Sequence, residues 1–179
     1  MHFDEDFIGR CLDNDSKAQG ELYKQFAPKM FGICLRYAKN QMEAEDVLQE
    51  GFIKVFRYLK NYRNEGSLEG WVRKTMVNTA INYYKKKIKY QKDVSLDQTE
   101  PINTEEESAI DKLSAKELLD LIRALPDGYR MVFNLNVIEG YTHKEIGEML
   151  KISENTSKSQ LSRARGVLQD KLKKRIKGD

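Results

Sequence analysis

The stretch "YQKDVSLDQTEPINTEEESAIDK", residues 90 to 112, constrains this chain more than any other. It holds few large apolar side chains, one proline and several acids. Such a segment cannot bury enough apolar surface to offset the entropy lost on ordering it. It therefore reads as a flexible acidic linker, and it divides a chain of 179 residues into two pieces, neither long enough for a large core. The expected organisation is a domain over 1–90, a linker over 91–112 and a second domain over 113–179.

Both pieces are patterned as helices. Prolines occur only at 28, 101 and 126, and apolar residues recur at helical spacing almost everywhere outside the linker. The expected fold class is all-α, with two small helical domains. Ser16 and Gln19 have the spacing of a capping box opening a helix to about Phe26. A second helix is expected after Pro28, with Met30, Ile33, Cys34 and Tyr37 inward. A third is expected from about Gln41 to Leu59 and a fourth from about Ser67 to Lys89. Beyond the linker the pattern resumes near Leu113, stops at Pro126, resumes to Ile138 and breaks at Gly140.

The net charge is only +3, but it is unevenly placed. Lys85, Lys86, Lys87, Lys89 and Lys92 form one basic cluster. Arg163, Arg165, Lys171, Lys173, Lys174, Arg175 and Lys177 form another, and the acids of the linker lie between. Two basic regions on either side of an acidic one fit a chain that touches a polyanion at two places. Cys11, Cys34, His2 and His143 lack metal-ligand spacing, so no metal and no cofactor is expected. No apolar run reaches membrane-spanning length, and the acidic start "MHFDEDFIGR" is unlike a secretory signal. A cytoplasmic protein without membrane insertion is the expectation.

Residues 141 to 168, "YTHKEIGEMLKISENTSKSQLSRARGVL", have the form of two short helices with a tight corner. Thr142 and Glu145 can cap the first, with Ile146 and Leu150 inward. Gly147 leaves room for another helix to cross closely. Lys151-Ile152-Ser153 is the turn, and Ser153 can cap the second helix. There Leu161, Ala164 and Leu168 make a buried stripe, leaving Lys158, Ser159, Gln160 and Arg163 off it after a polar start of Glu154, Asn155 and Thr156. Short polar side chains at a helix start suit base edges in a major groove, and Arg and Lys suit guanines or phosphates. The alternative is an ordinary helical hairpin with a wet basic face. Gly147 and the short turn favour the groove. Lys151, at a place where glycine is common, and Ser157, where an apolar residue usually packs inward, count against it.

"EGSLEGWVRKTMVNTAINYYKKK", residues 65 to 87, has an inner stripe of Leu68, Val72, Thr75, Met76, Thr79 and Tyr83. Lys74, Asn78, Asn82 and Lys85 fall opposite, as a row of amides and cations. The preceding "YLKNYRNEGS" is aromatic, basic and flexible, which suits unstacked bases. A solvated face with Trp71 in the core explains the same pattern. In "AEDVLQEGFIKVFRYLK", residues 44 to 60, Leu48, Phe52, Val55, Phe56 and Leu59 face inward. Asp46, Glu50 and Ile53 share another face, with Gln49 beside them. Acids near a helix start also favour the macrodipole. An exposed isoleucine among acids and amides fits a protein partner instead, and spacing leaves both readings open.

Four pieces taken in order, "AEDVLQEGFIKVFR", "GSLEGWVRKTMVNTAINYYKKK", the acidic linker and "LPDGYRMVFNLNVIEGYTHKEIGEMLKISENTSKSQLSRAR", resemble the extracytoplasmic-function sigma factors, small promoter-recognition subunits of bacterial RNA polymerase in the sigma-70 family. The resemblance covers about residues 5 to 175. It implies a non-enzymatic protein whose partners are core RNA polymerase, at the clamp helices of the largest subunit and the flap, promoter DNA and an anti-sigma factor. It implies that Asp46, Gln49, Glu50 and Ile53 meet the polymerase. Asn61, Arg63 and Asn64 would surround a flipped base of the minus-ten element, with Asn78, Asn82 and Lys85 along the strand. Asn155, Thr156, Lys158, Ser159 and Arg163 would read the minus-thirty-five duplex, in a C-terminal helix-turn-helix. The linker would thread towards the catalytic cleft. Ser157 departs from the valine usual in the family, so local packing is expected to differ.

Three other readings compete on the residues alone. A free-standing helix-turn-helix regulator predicts a dimer, and no heptad zipper is present. An enzyme on nucleic acid needs a metal cluster, a phosphate loop or a nucleophile–base pair, and none is legible. A helical adaptor without nucleic acid does not account for the two basic clusters.

Overall fold

The structure, a computed structural model, describes residues 4–94 and 115–176. Among these residues there is no strand, and the chain divides into two compact units, 1–83 and 84–179. The expected linker lies outside the described residues from 95 onward. Its first residues, 91–94, are helical instead, because the fourth helix runs on to Val94.

The first unit opens with α1 (Glu5–Leu12), α2 (Ser16–Tyr37), α3 (Gln41–Tyr58) and a 3-10 turn (Leu59–Asn61), and α4 (Leu68–Val94) follows. The division between units falls within α4, after Tyr83. Each helix start has a side chain for its orphan amides. Asp4 accepts from the Phe7 amide, Asn40 from that of Glu43, and Ser67 from that of Gly70.

The expected box at Ser16 and Gln19 does not form. Asp15 caps α2 by accepting from the Lys17 and Ala18 amides, Ser16 is the first helical residue, and Gln19 donates to the Cys11 carbonyl. An ionised carboxylate suits the positive helix end better than a hydroxyl, and Arg10 holds it there at 2.8 Å.

The expected break at Pro28 is also absent, since α2 runs through it as one helix. Proline removes one helix hydrogen bond. Pro28 is exposed, where the stranded carbonyl can bond to water, and buried Phe26 and Met30 anchor the helix on both sides.

Leu22, Met30, Val55, Leu59, Val72 and Met76 are almost wholly buried and make the centre of this unit. Each such side chain contributes about 1.5–3 kcal/mol by leaving water. The Met76 thioether fills the place where a Cβ on Gly51 would stand, so α3 and α4 meet closely there. On α4 the expected inner residues Leu68, Val72, Met76 and Thr79 are buried, while Thr75 and Tyr83 are half-buried. Val77, Ala80 and Ile81 are buried too, so the inner face is wider than the single stripe expected.

The second unit holds α5 (Ala115–Arg123), α6 (Asp127–Phe133), a π turn (Asn134–Ile138), α7 (His143–Leu150) and α8 (Glu154–Ile176). Leu121, Leu125, Met131, Val132, Leu135, Ile146 and Leu161 form its core. Arg130 lies inside it, 2% exposed. Its guanidinium donates to the Arg123 carbonyl at 3.2 Å, to the Leu125 carbonyl at 2.7 Å and to the Asp127 carboxylate. One side chain thus satisfies the end of α5 and the corner at Pro126, which is how a cation is tolerated in so small a core. Asn134, also buried, donates to the Arg130 carbonyl at 2.8 Å at the start of the π turn.

Candidate nucleic-acid interface

The corner between α7 and α8 is built from local bonds. Thr142 and Glu145 form the full capping box: the Glu145 amide donates to Thr142 Oγ1, and the Thr142 amide donates to the Glu145 carboxylate at 2.8 Å. These bonds, the side-chain one from Thr142 first, hold the Glu145 carboxyl below its ordinary range. Lys151 closes α7 in the left-handed region at φ 58°, the position where a glycine is usual. The strain is local, and its amide still bonds to the Gly147 carbonyl. Gly147 is needed, but for a different neighbour than expected. A Cβ there would stand 2.8 Å from the Ile152 carbonyl oxygen, so the close approach is to the turn's own backbone and not to a crossing helix.

Ser153 caps α8, accepting from the Thr156 amide at 3.0 Å. Ser157 is fully buried beside Leu161 and Ala164. Its hydroxyl lies 2.9 Å from His143 Nδ1 on α7. The polar residue at an apolar place is thus matched by a polar partner from 14 residues away, beyond the reach of local spacing.

The outer face of α8 carries the five expected groove residues, in different states of readiness. Asn155 and Arg163 are exposed, and among the described residues their side chains have no hydrogen-bond partner. Lys158 is exposed but paired with Glu154 at 2.6 Å, which holds the Glu154 carboxyl low. Ser159 donates to the Thr156 carbonyl at 3.0 Å. Thr156 is half-buried, and its hydroxyl is 2.8 Å from that of Ser153. Thr156 therefore belongs to the cap as much as to the surface. Arg165 is exposed too, but two residues on it points away from the side of Arg163.

α4 presents Lys74, Asn78 and Asn82 to solvent within the first unit, and Lys85, past the division after Tyr83, is half-buried. The loop before it carries Asn61, Arg63 and Asn64, all exposed. Tyr62 fixes this loop: its hydroxyl donates to the Gly66 carbonyl at 2.8 Å and its ring lies 6.0 Å from that of Trp71. Trp71 is half-buried, so it is a wall of the loop more than a core residue. Asn64 and Gly66 turn the chain with φ of 55° and 89°. Asn64 Nδ2 donates to Glu5 Oε1 of α1 at 3.4 Å. Here the chain borders an open cleft of about 600 Å³, lined among others by Glu5, Gln25, Phe26, Tyr62, Asn64 and Leu68.

On α3, Asp46, Gln49 and Ile53 are exposed, with Ile53 at 58%, and Glu50 is half-buried and paired with Lys54 at 2.7 Å. Met42, 72% exposed, continues the same face one turn earlier. Its spacing of four residues from Asp46 and eleven from Ile53 places it on one helix face with them, a signal legible in the sequence. Among the described residues no group of three or more His, Cys, Asp or Glu could hold a metal, and no helix is long and apolar enough to cross a membrane.

Comparison with known proteins adds the family. Residues 22–89 match the model of sigma-70 region 2, and residues 115–168 that of sigma-70 region 4. The chain is 26% identical to the ECF RNA polymerase sigma-E factor of Haemophilus influenzae, over 94% of this chain and 95% of that one. It is 28% identical to the sigma-E factor of Escherichia coli K12, over 97% and 96%. With the ECF sigma factor SigE of Mycolicibacterium smegmatis it shares 30% identity over 86% of this chain and 61% of the longer relative. The fold is similar to that of the sigma factor RpoE from Bartonella quintana, solved in complex with the anti-sigma factor NepR. That match has a TM-score of 0.51 at 18% identity and covers 86% of this chain and 96% of that one. Two regional models in order, with relatives aligned almost end to end, lead to one conclusion: this chain belongs to the sigma-70 family, in its extracytoplasmic-function group, and is a factor for initiating transcription and not an enzyme.

Proposed function

We propose that the chain directs core RNA polymerase to its promoters by three surfaces on two units. The outer face of α3, with Asp46, Gln49, Glu50 and Ile53 and with Met42 added, docks on the clamp helices of the polymerase largest subunit. An apolar pair, Met42 and Ile53, set among acids and amides that stay solvated at the rim, has the make-up of a protein contact. The second unit meets the flap.

The outer face of α4 and the loop before it hold the minus-ten element as a single strand. Asn78, Asn82 and Lys85 follow the strand, while Asn61, Arg63 and Asn64 surround an unstacked base. Asn155, Thr156, Lys158, Ser159 and Arg163 of α8 enter the major groove of the minus-thirty-five element. Unstacking DNA costs a few kcal/mol per step. A captured base returns about 1–3 kcal/mol by stacking, so polymerase contacts are needed to complete the balance. Free of polymerase, neither unit is expected to bind a promoter well.

The observation that carries this reading is the ordered pair of matches, region 2 over α2 to α4 and region 4 over α5 to α8. A free-standing duplex-binding regulator would have no need of the first. An anti-sigma factor is a further proposed partner, by analogy with the RpoE–NepR complex of Bartonella quintana, and work on the chromosome implies a cytoplasmic place.

The test is reconstitution with core polymerase, selection of promoters from a random pool, and run-off transcription. Ile53→Arg should abolish association with core. Asn82→Ala should impair opening while leaving upstream binding intact, and Arg163→Ala should do the reverse. Selective initiation no better than that of core alone would overturn the reading.

A further inference from the structure

The last turns of α4 belong to the second unit, because the division falls after Tyr83. There the Lys87 ammonium lies 3.1 Å from the Asp127 carboxylate at the start of α6. Burial by itself would raise the Asp127 carboxyl, but the bonds from Lys87 and Arg130 outweigh it and hold the group below its ordinary range. Arg130 is buried, so the ion pair is anchored in the core of the unit.

Beside that pair, Tyr84 and Gln160 of α8 close over Gly128. A Cβ on Gly128 would stand 3.3 Å from Gln160 Nε2 and 3.4 Å from the Tyr84 hydroxyl, so a missing side chain makes room for both. Burial, with Asp127 nearby, pushes the Tyr84 phenol up to about 12. Lys85 with Lys89, and Lys86 with Lys89, set like charges at helical spacings of four and three, which opposes a helix. The seat on α6 and α8 supplies the support that the sequence of this end lacks.

The same seat conflicts with promoter binding. Lys85 adjoins Tyr84 and is assigned to the minus-ten strand, while Ser159 adjoins Gln160 and is assigned to the minus-thirty-five groove. The two elements lie about 25 base pairs apart, roughly 85 Å along B-DNA. A compact unit of about 100 residues has a radius of gyration of only about 13 Å. While the seat is occupied, Lys85 cannot reach one element as Ser159 reads the other.

We propose that Tyr84 and Lys87, seated on Asp127, Gly128 and Gln160, form an autoinhibitory latch that keeps the free chain from engaging both promoter elements at once. Core polymerase opens it by holding the chain at both elements. Asn155, Lys158 and Arg163 stay exposed beside the seat, so binding to the upstream element alone is not blocked. What the latch removes is the gain from joining two contacts. The proposal rests on the sigma-factor reading of Lys85 and Ser159.

The experiment locks the latch and then releases it. The native Cys11 and Cys34 are buried, so a chain carrying Tyr84→Cys and Gln160→Cys can be joined at those two positions by a reducible bismaleimide. Holoenzyme with the joined chain should initiate at a selected promoter at least about tenfold less than the same holoenzyme after reduction. Gly128→Leu wedges the seat apart. Free of polymerase, this variant should bind a probe with a duplex minus-thirty-five element and a pre-opened minus-ten element at least about threefold more tightly than wild type. The isolated minus-thirty-five duplex should bind both chains equally. Circular dichroism melting checks the fold, and should Gly128→Leu unfold, Tyr84→Ala empties the seat from the other side with the same expectation. A joined chain that initiates as well as its reduced form, or a folded variant with no gain on the two-element probe, overturns the latch and leaves the sigma-factor reading intact. Wild-type holoenzyme that selects no promoter overturns both.

Discussion

The Ser157 hydroxyl, fully buried on α8, lies 2.9 Å from Nδ1 of His143 on α7. This pair joins the two helices of the corner with a polar bond. Removing the imidazole leaves a buried hydroxyl unpaired, which costs about 1–3 kcal/mol. His143→Ala should therefore destabilise by about that amount, and Ser157→Val in the same chain should return most of the loss. Urea unfolding of the two single variants and the double variant measures the coupling. Additive effects would show that the pair does not interact.

Lys151 is held at φ 58°, where an L residue costs about 1–2 kcal/mol relative to the right-handed region. Glycine has no such penalty but loses more entropy on folding. Lys151→Gly should raise stability by a net of up to about 1 kcal/mol, seen as a higher urea midpoint with unchanged slope.

Arg130 is buried and holds two carbonyls of the α5–α6 corner together with Asp127. Arg130→Met keeps much of the volume but leaves the two carbonyls without their donor and Asp127 with Lys87 alone. A loss of about 3–5 kcal/mol is expected, enough to unfold much of the second unit at 37 °C. Circular dichroism melting checks it.

Glu145 has its carboxyl lowered from 4.5 by the bonds from Thr142. A lowered carboxyl stabilises the folded state fully above the ordinary value, and that contribution is lost as pH falls through the folded value. Wild type should therefore exceed Glu145→Gln in urea midpoint at neutral pH, and the two should converge as pH falls below 4.5. A gap that widens in acid would contradict the sign.

Arg163 and Lys158 differ in what DNA binding must undo. Lys158 must give up Glu154, an exposed pair of little intrinsic worth, about 0–1 kcal/mol. Arg163 has no such partner among the described residues. Arg163→Ala should weaken holoenzyme binding to a selected promoter more than Lys158→Ala does. If Arg163 meets phosphate, the dependence of log affinity on log salt should also fall by about one. Titration of holoenzyme against a labelled promoter at several salt concentrations reads both.

Much of this protein is written in local sequence. Helical periodicity, the Thr142–Glu145 box, the cap at Ser153 and the breaks at Pro126 and Gly140 all depend on residues within a turn or two of one another, so a linear reading finds them. The same holds for the outward faces of α3, α4 and α8, because a helix fixes which residues lie opposite its buried stripe. Where local signals competed, packing decided. Asp15 took the cap from Ser16 because Arg10 supports it, and α2 passed Pro28 because buried Phe26 and Met30 hold both halves.

What only the tertiary structure decided are the pairings between distant parts of the chain. His143 meets Ser157, the Met76 thioether fills the space beside Gly51, and Glu5 reaches Asn64 across 59 residues. No periodicity encodes these contacts. Each arises because burial of apolar faces brings two helices together at one register, and the polar or absent side chains at the crossing must then suit whatever they meet.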